Sequence, residues 1–221
     1  MGIQAIAFDL DGTLVDSIHD LARAANLSRA DLGLAALNSD RVASFVGDGA
    51  ASLVARVLAD SHSAEYTGTE IQLQGMALFN AHYLAGLSLA TAFYPKVQET
   101  LHMLHERGLP LAIITNKPER FTLPLLRQLG VFEHFEVIVS GDSLPKKKPA
   151  PEPLQFAALQ LNVELANMLM VGDSENDILA ARAAGCPVVA VSYGYGSDIE
   201  SLGADAVIHR FDELREYLDL N

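Results

Sequence analysis

The sequence predicts an α/β protein in which a doubly wound, Rossmann-like parallel sheet forms the core and an all-α helical cap is inserted into it. Short apolar runs alternate with helical patterns, as expected of parallel strands that are buried on both faces. One long stretch breaks this alternation because it contains helical patterns and no convincing strand. The apolar runs lie at residues 3–10, 111–115, 136–139, 168–171 and 188–191, with a candidate sixth at 206–208.

The helical patterns between these runs end at recognisable stop signals. They end near residues 107, 129 and 184, and a glycine follows at positions 108, 130 and 185. Glycine adopts the left-handed conformation with which many helices end. Strands that alternate with helices in this way indicate a sheet with helices on both faces.

The stretch that breaks the alternation is predicted to be a separate helical cap. It spans residues 17–89, so that residues 1–16 and 90–221 form the α/β core. Ser17 and Asp20 have the spacing of a capping box at the start of the first cap helix. Gly47, Asp48 and Gly49 interrupt the helical pattern and predict a tight turn between two cap helices.

Composition and charge limit the class of partner. Half of the 221 residues are apolar, and the formal net charge is −13. Such a field repels polyphosphate backbones, and no basic stripe interleaved with aromatic residues offsets it, so we expect no nucleic-acid partner. A phosphorylated small molecule meets the same repulsion. Any phosphate site therefore needs a bound cation or converging donors.

Cysteine content and the N-terminal run indicate the compartment. Cys186 is the single cysteine, so no intramolecular disulfide can form and a reducing compartment is expected. The apolar run at residues 3–8 is too short to span a membrane and ends against Asp9. We therefore expect a cytoplasmic protein with no membrane partner. The sequence leaves the oligomeric state open between monomer and homodimer.

Two carboxylates follow the first predicted strand. Asp9 and Asp11 lie in the segment Asp-Leu-Asp-Gly-Thr, at a buried strand end where an uncompensated carboxylate is costly. A lone segment of this kind also occurs in a solvated turn or in half of a calcium loop, although the downstream ligands of an EF-hand are missing here. Ligands of open α/β sheets bind outside the carboxyl ends of the strands. The position therefore favours a functional site.

Two further strand ends carry candidate phosphate-binding groups. Thr115 and Asn116 end the second long strand, where the hydroxyl and backbone N–H groups suit a phosphate, although these two residues taken alone fit a helix N-cap better. Lys148 precedes a proline-rich segment that can direct its side chain inward. A cation among carboxylates offsets their repulsion and binds a phosphoryl oxygen. Lys146 and Lys147 are interpreted as a solvated charge run.

Two acidic residues follow the fourth long strand. Asp173 lies just past its end, where it can complete a Mg²⁺ site with Asp9 and the backbone carbonyl of Asp11. Asp177 has two interpretations. It lies at capping-box spacing from Ser174, and it can equally support the metal site from behind the ligands.

Together these segments resemble the four motifs of the haloacid dehalogenase superfamily. The matching positions are Asp9 to Thr13, Thr115, Lys148, and Gly172-Asp173 with Asp177. The helical insertion after the first motif is similar to the alpha-helical cap of that superfamily, so the resemblance covers the whole chain. Within the superfamily the chain looks most like the bacterial phosphoglycolate phosphatases, through residues 8–17, 46–50, 115–118, 141–145, 147–149 and 193–195.

The resemblance implies hydrolysis of a small phosphorylated metabolite, with 2-phosphoglycolate as the expected substrate and Mg²⁺ as cofactor. It assigns Asp9 as the nucleophile that becomes phosphorylated, and Asp11 as the acid that protonates the leaving oxygen. Thr115 and Lys148 bind phosphoryl oxygens. Relatives with this cap act on sugar phosphates, nucleotides or pyrophosphate, and Asp48 stands where relatives have Asn.

The cap turn is a candidate for substrate selection. The N–H groups of Gly47 and Gly49 at the start of the next helix suit a substrate carboxylate, with Arg56 assisting. An ordinary helix-joining turn with a surface arginine explains these residues equally well. Two other functions share part of the pattern: a phosphomutase, which returns the phosphate to sugar, and a receiver-like phospho-acceptor module.

Overall fold

A computed structural model describes residues 2–220. The chain divides into two compact units, one formed by Met1–Asp16 with Phe93–Asn221 and the other by Ser17–Ala92. The C-terminal boundary of the second unit therefore falls after Ala92, a little beyond the expected position. No helix within the described range is both long and apolar enough to cross a bilayer.

A parallel sheet forms the centre of the first unit. Six strands pair side by side in this sheet, and each pairing between neighbours is parallel. Each predicted run forms a strand, including the candidate sixth, so the predicted doubly wound fold is confirmed. The strands are β1 (Ala5–Phe8), β2 (Val15–Asp16), β3 (Ala92–Phe93), β4 (Leu111–Ile114), β5 (Val137–Val139), β6 (Met168–Gly172), β7 (Val188–Val191) and β8 (Ala206–Ile208). The six-stranded sheet has the order β5-β4-β1-β6-β7-β8, and β2 and β3 form a separate two-stranded sheet.

Nine α-helices complete the described elements. The second unit contains α1 (Ile18–Asp31), α2 (Ser39–Ala43), α3 (Ala50–Ala59) and α4 (Glu70–Leu84). The first unit contains α5 (Val97–Glu106), α6 (Glu119–Gln128), α7 (Glu152–Leu161), α8 (Glu175–Ala184) and α9 (Leu214–Leu220), with short 3-10 helices at Phe132–His134, Leu165–Asn167, Ile199–Ser201 and Phe211–Glu213. The three predicted stops are confirmed, since α5, α6 and α8 end within a residue or two of them.

Alternate residues of β1 enter two apolar layers, because successive side chains of a strand point to opposite faces. Ala5 and Ala7 join a buried cluster with residues of α7 and α8. Ile6 and Phe8 are also fully buried, and the Phe8 ring packs 5.8 Å from the ring of Phe211. The sheet is therefore covered on both faces, and polar groups are confined to the ends of its strands.

The second unit is built mainly from the four helices α1 to α4. Helix α1 packs mainly against α4, and α3 contacts both. The prediction of a capping box at the start of α1 is wrong, because Ser17 is the N-cap of this helix but makes no side-chain capping hydrogen bond. Asp20 instead accepts hydrogen bonds from the N–H groups of Ala90 and Thr91 and from the Thr91 hydroxyl, at 2.8–2.9 Å. Asp20 thus fastens the last loop of the unit to its first helix.

Candidate active site

The sheet brings the ends of three strands together. Strand β1 lies between β4 and β6, with Phe8 opposite Ile113 on one side and Val171 on the other. The chain order of the strands reverses at this point, which is where open α/β sheets bind their ligands. We call the space beyond these three ends the carboxyl-end crevice. The residues that follow each of the three strands lie beside it.

Asp9 and Lys148 form a buried ion pair at the base of this crevice. The Lys148 Nζ lies 2.8 Å from Asp9 Oδ1 and 2.5 Å from Asp177 Oδ1. The Lys148 side chain is 2% exposed, so its charge is held almost entirely by these two carboxylates. The lysine ammonium therefore compensates only part of the negative charge gathered here.

Asp177 caps helix α8, as its spacing from Ser174 predicts, and it also contacts Lys148. Its Oδ2 accepts hydrogen bonds from the N–H group of Ser174 (3.0 Å) and from the Ser174 hydroxyl (2.6 Å), which completes a capping box at the start of α8. Its Oδ1 binds Lys148. Because one carboxylate does both, the helix start fixes the position of the ammonium.

Asp173 is held in place by its neighbours. Its Oδ1 accepts a hydrogen bond from the Thr13 hydroxyl at 3.1 Å, and its Oδ2 accepts one from the N–H group of Tyr195 at 2.7 Å. Gly12 lies against the same carboxylate with a φ of +88°, and a Cβ there would come within 2.3 Å of Asp173 Oδ2. A side chain at position 12 would therefore displace the carboxylate as well as strain the backbone.

The electrostatics of the cluster reflect an excess of negative charge. Burial, followed by the charges of Asp9 and Asp177, raises the pKa of Asp173 to about 8. Burial also raises the pKa of Asp9 to about 6, against the opposing effect of the Lys148 ammonium. Burial alone would lower the pKa of Lys148, but Asp177 and Asp9 outweigh it and hold that pKa above its usual value. The lysine stays charged while the acids resist ionisation.

These carboxylates fit a hard metal ion. Ligand atoms of Asp9, Asp173 and Asp177 lie within 4.8 Å of one another, and all three residues are buried. Oxygen donors without histidine or cysteine suit Mg²⁺ or Ca²⁺ rather than zinc. A bound divalent cation would also relieve the repulsion that raises the two acid pKa values. The described part of the chain thus contains a buried acidic cluster that could hold a metal.

Asp11 has a partner that the sequence does not reveal. The Nζ of Lys117 lies 2.9 Å from both carboxylate oxygens of Asp11. The Lys117 side chain is 3% exposed and that of Asp11 is 13% exposed. The only signal for Lys117 in the sequence is that it directly follows Thr115-Asn116. That position does not show whether a lysine before a proline is buried or exposed.

Thr115 and Asn116 shape the edge of the crevice beyond β4. The Thr115 hydroxyl accepts a hydrogen bond from the N–H group of Lys117 at 3.2 Å. Helix α6 has Pro118 as its N-cap, so Thr115 does not cap it. The Asn116 Nδ2 donates a hydrogen bond to the carbonyl of Lys148 at 2.9 Å, and this bond links the segment after β4 to the segment after β5.

The remaining predicted residues belong to the second unit. Gly47 and Gly49 lie in the turn between α2 and α3, and Gly49 is the N-cap of α3 with a φ of +83°. The Arg56 Nη2 lies 2.6 Å from Asp48 Oδ2, and its Nη1 donates to the carbonyl of Phe45. The predicted turn is present, and its arginine fastens the turn to the helix that follows.

Known proteins share both the sequence and the fold. A model of the haloacid dehalogenase-like hydrolases matches residues 3–185. A phosphoglycolate phosphatase from Chromobacterium violaceum is 48% identical over 98% of this chain and 96% of its own, and one from Neisseria meningitidis is 45% identical over 98% and 94%. A crystal structure of a predicted phosphoglycolate phosphatase from Haemophilus somnus superposes with a TM-score of 0.91 at 34% identity, covering 97% of each chain.

The family match includes all three strand ends that form the crevice and extends to the end of α8. The two phosphoglycolate phosphatases, which each match 98% of the chain, extend the similarity beyond this range. Sequence motifs, sheet topology and the acidic cluster agree with this result. The chain belongs to the haloacid dehalogenase-like hydrolases.

Proposed function

We propose that this protein hydrolyses 2-phosphoglycolate through a phosphoryl group carried on Asp9. The single observation that supports this most directly is the buried Asp9–Lys148–Asp177 arrangement beside Asp173, which combines a nucleophile, a fixed cation and a candidate metal site. The full-length relatives named phosphoglycolate phosphatase favour this substrate over sugar phosphates, nucleotides and pyrophosphate.

Asp9 acts as the nucleophile. A phosphate monoester is an anion with a poor leaving group, so attack by a carboxylate requires charge compensation at the phosphoryl oxygens. The Lys148 ammonium, already 2.8 Å from Asp9 Oδ1, provides part of it. The Thr115 hydroxyl, which is buried at the neighbouring strand end, binds a further phosphoryl oxygen. Attack forms a bond from Asp9 to phosphorus and breaks the bond to the ester oxygen.

Mg²⁺ is the metal we propose for the acidic cluster, with Asp9, Asp173 and the backbone carbonyl of Asp11 as ligands and Asp177 supporting them through Lys148. When bound, it neutralises charge shared between the carboxylates and the phosphoryl oxygens. Thr13 and the N–H group of Tyr195 orient Asp173 for this purpose.

Asp11 acts first as a general acid and then as a general base. It protonates the departing oxygen in the first step, and it takes a proton from the water that releases phosphate from Asp9 in the second. Its contact with Lys117 at 2.9 Å fixes the orientation of the carboxyl group. Two successive roles for one residue explain why the motif needs a second aspartate beside the nucleophile.

We place the reaction in the cytoplasm. Cys186 is buried, and burial raises the pKa of its thiol to about 12, so this residue is an unreactive packing group. A chain with one unreactive thiol suits a reducing compartment.

Phosphate release from a panel of monoesters tests the substrate. With Mg²⁺ present, the purified chain should show its highest kcat/KM with 2-phosphoglycolate, compared with hexose phosphates, nucleotides and pyrophosphate. The Asp11→Asn variant should still be labelled at Asp9 by acetyl phosphate, whose leaving group needs no proton, yet barely turn over phosphoglycolate. A higher kcat/KM for a sugar phosphate, or transfer of phosphate to sugar without release, would contradict the proposal.

A further inference from the structure

Two buried lysines enter the carboxyl-end crevice, and they serve different carboxylates. Lys148 binds Asp9 and Asp177, the residues next to the candidate metal cluster. Lys117 binds Asp11, the residue that faces the leaving oxygen in the proposed reaction. In the proposed reaction, one cation would lie on the phosphoryl side of the ester bond and the other on the leaving-group side.

The backbone around Lys117 is anchored at both of its polar groups. Its N–H group donates to the Thr115 hydroxyl, and its carbonyl accepts hydrogen bonds from the N–H group of Gly141 at 2.8 Å and the Thr122 hydroxyl at 3.2 Å. The base of the side chain is thus held by three different segments of the first unit. The ammonium at its tip has little freedom to leave the crevice.

The chemistry of the leaving group places a substrate carboxylate near this ammonium. In 2-phosphoglycolate a single methylene separates the ester oxygen from the carboxylate carbon. If Asp11 protonates the ester oxygen, a group that contacts Asp11 lies within reach of that carboxylate. An ammonium is a compact point charge with three donors, so it can hold two carboxylates at once.

We propose that Lys117 is the substrate-carboxylate binding residue, and that it selects phosphorylated carboxylic acids over uncharged phosphate esters. This inference rests on the proposed phosphatase function and extends it. It assigns the selection to the α/β unit, whereas the sequence makes the turn at Gly47 and Gly49, with Arg56, a candidate for it. Arg56 is already paired with Asp48 at 2.6 Å.

Charge explains why such a cation is needed. A phosphorylated carboxylic acid carries one more negative charge than a simple monoester, and it enters a crevice already rich in carboxylates. Lys148 is surrounded by Asp9 and Asp177 and cannot neutralise a carboxylate on the opposite side of the ester bond. Without Lys117 the extra charge would face Asp11 directly.

The experiment compares two substrates in three proteins. The substrates are 2-phosphoglycolate and ethyl phosphate, in which a methyl group replaces the carboxylate, and kcat/KM is measured for each with wild type, Lys117→Met and Arg56→Met. Lys117→Met should lower the ratio of the two values on the order of 100-fold, the range found when one partner of a close charge pair is removed. Arg56→Met should leave the ratio within a few-fold of wild type.

A positioning role for Lys117 through Asp11 alone predicts a different result, because both substrates need the same proton and both values would fall together. An unchanged ratio in Lys117→Met, or a larger change in Arg56→Met, would overturn the inference while leaving the phosphatase function intact. Absence of hydrolysis with every monoester would overturn the function itself and the inference with it.

A second measurement covers the case in which Lys117→Met does not fold. Wild-type enzyme is compared on 2-phosphoglycolate and its carboxyl methyl ester, and neutralising the substrate carboxylate should lower kcat/KM on the order of 100-fold. Equal values for acid and ester would overturn the inference without any variant. Lys146→Met, which removes an exposed ammonium paired with Glu152, is the control for the loss of one positive charge.

Discussion

Two buried aspartates, one in each unit, show how the same residue type serves two purposes. Asp20 in the helical unit is 1% exposed, and Asp173 in the α/β unit is 3% exposed. One Asp20 oxygen, Oδ2, accepts three hydrogen bonds, from the N–H groups of Ala90 and Thr91 and from the Thr91 hydroxyl. Asp173 lies instead among Asp9 and Asp177, which share a single ammonium.

The difference lies in what each carboxylate lacks. Asp20 has its donors within its own unit, so it stabilises a loop and requires nothing more. The Asp173 cluster has more carboxylates than cations, and the raised pKa values of Asp9 and Asp173 measure that imbalance. A satisfied buried acid indicates structure, whereas an unbalanced buried cluster indicates a binding site for a cation.

The first prediction is the strongest test of this contrast. Asp9→Asn removes the nucleophile and should lower kcat by about 10⁴-fold or more. It also removes one charge from a repulsive cluster, so the metal-free protein should be as stable as wild type or more so.

Asp20→Asn is the matched substitution in the other unit, and it should do the reverse. Replacing an acceptor-only carboxylate by an amide should cost about 1–3 kcal/mol of unfolding free energy while kcat changes little. Urea unfolding and phosphate release measure the two effects. If Asp9→Asn were the destabilising variant and Asp20→Asn the inactive one, the contrast would be wrong.

The second prediction concerns the cation. Lys148→Met leaves Asp9 and Asp177 buried without their ammonium, and should lower the unfolding free energy by about 3 kcal/mol or more. Activity should fall on the order of 10³-fold, because an electrostatic partner of the phosphoryl group is lost.

Lys146→Met is the control two positions away. The Lys146–Glu152 pair at 2.6 Å is exposed to solvent, so its loss should change the unfolding free energy little and leave activity intact. Similar losses of stability in the two variants would show that burial does not set the energy of these pairs.

The sequence predicts the sheet well because buried parallel strands are continuous apolar runs, a signal that is local in the chain. It also predicts that carboxylates and a lysine gather at the strand ends, because topology alone brings these ends together. Asp177 shows that a helix cap and a buried ion pair with Lys148 need not exclude each other. Each of its oxygens serves one of them.

Partners far apart in the chain are not predictable in this way. Spacing assigns Asp20 to a capping box, but its donors Ala90 and Thr91 lie 70 and 71 residues later. Lys117 gives no local signal because a long side chain can reach solvent or the interior, and its partner Asp11 is 106 residues away. Spacing records local contacts, whereas buried polar groups find partners through the tertiary fold.

The last prediction uses pH and metal together. An aspartate has a usual pKa of 3.8. In the folded protein, the pKa of Asp173 is raised to about 8 and that of Asp9 to about 6. A raised carboxyl pKa means that the folded state binds more protons than the unfolded state, so stability is greatest below the ordinary pKa and is lost as pH rises through the folded pKa. In EDTA, the melting temperature should therefore fall between about pH 4 and pH 8 by a few degrees, since about 1 kcal/mol corresponds to about 2–4 °C in a chain of this size. The Asp173→Asn variant, which develops no charge at position 173, should show a shallower fall, and the difference between the two proteins cancels the titration of groups outside the acidic cluster. Magnesium should flatten the wild-type curve in the same way, because a cation that binds the ionised carboxylates stabilises the folded state most where they are charged. A wild-type curve parallel to that of Asp173→Asn, or one unaffected by magnesium, would show that this cluster is balanced within the protein as Asp20 is.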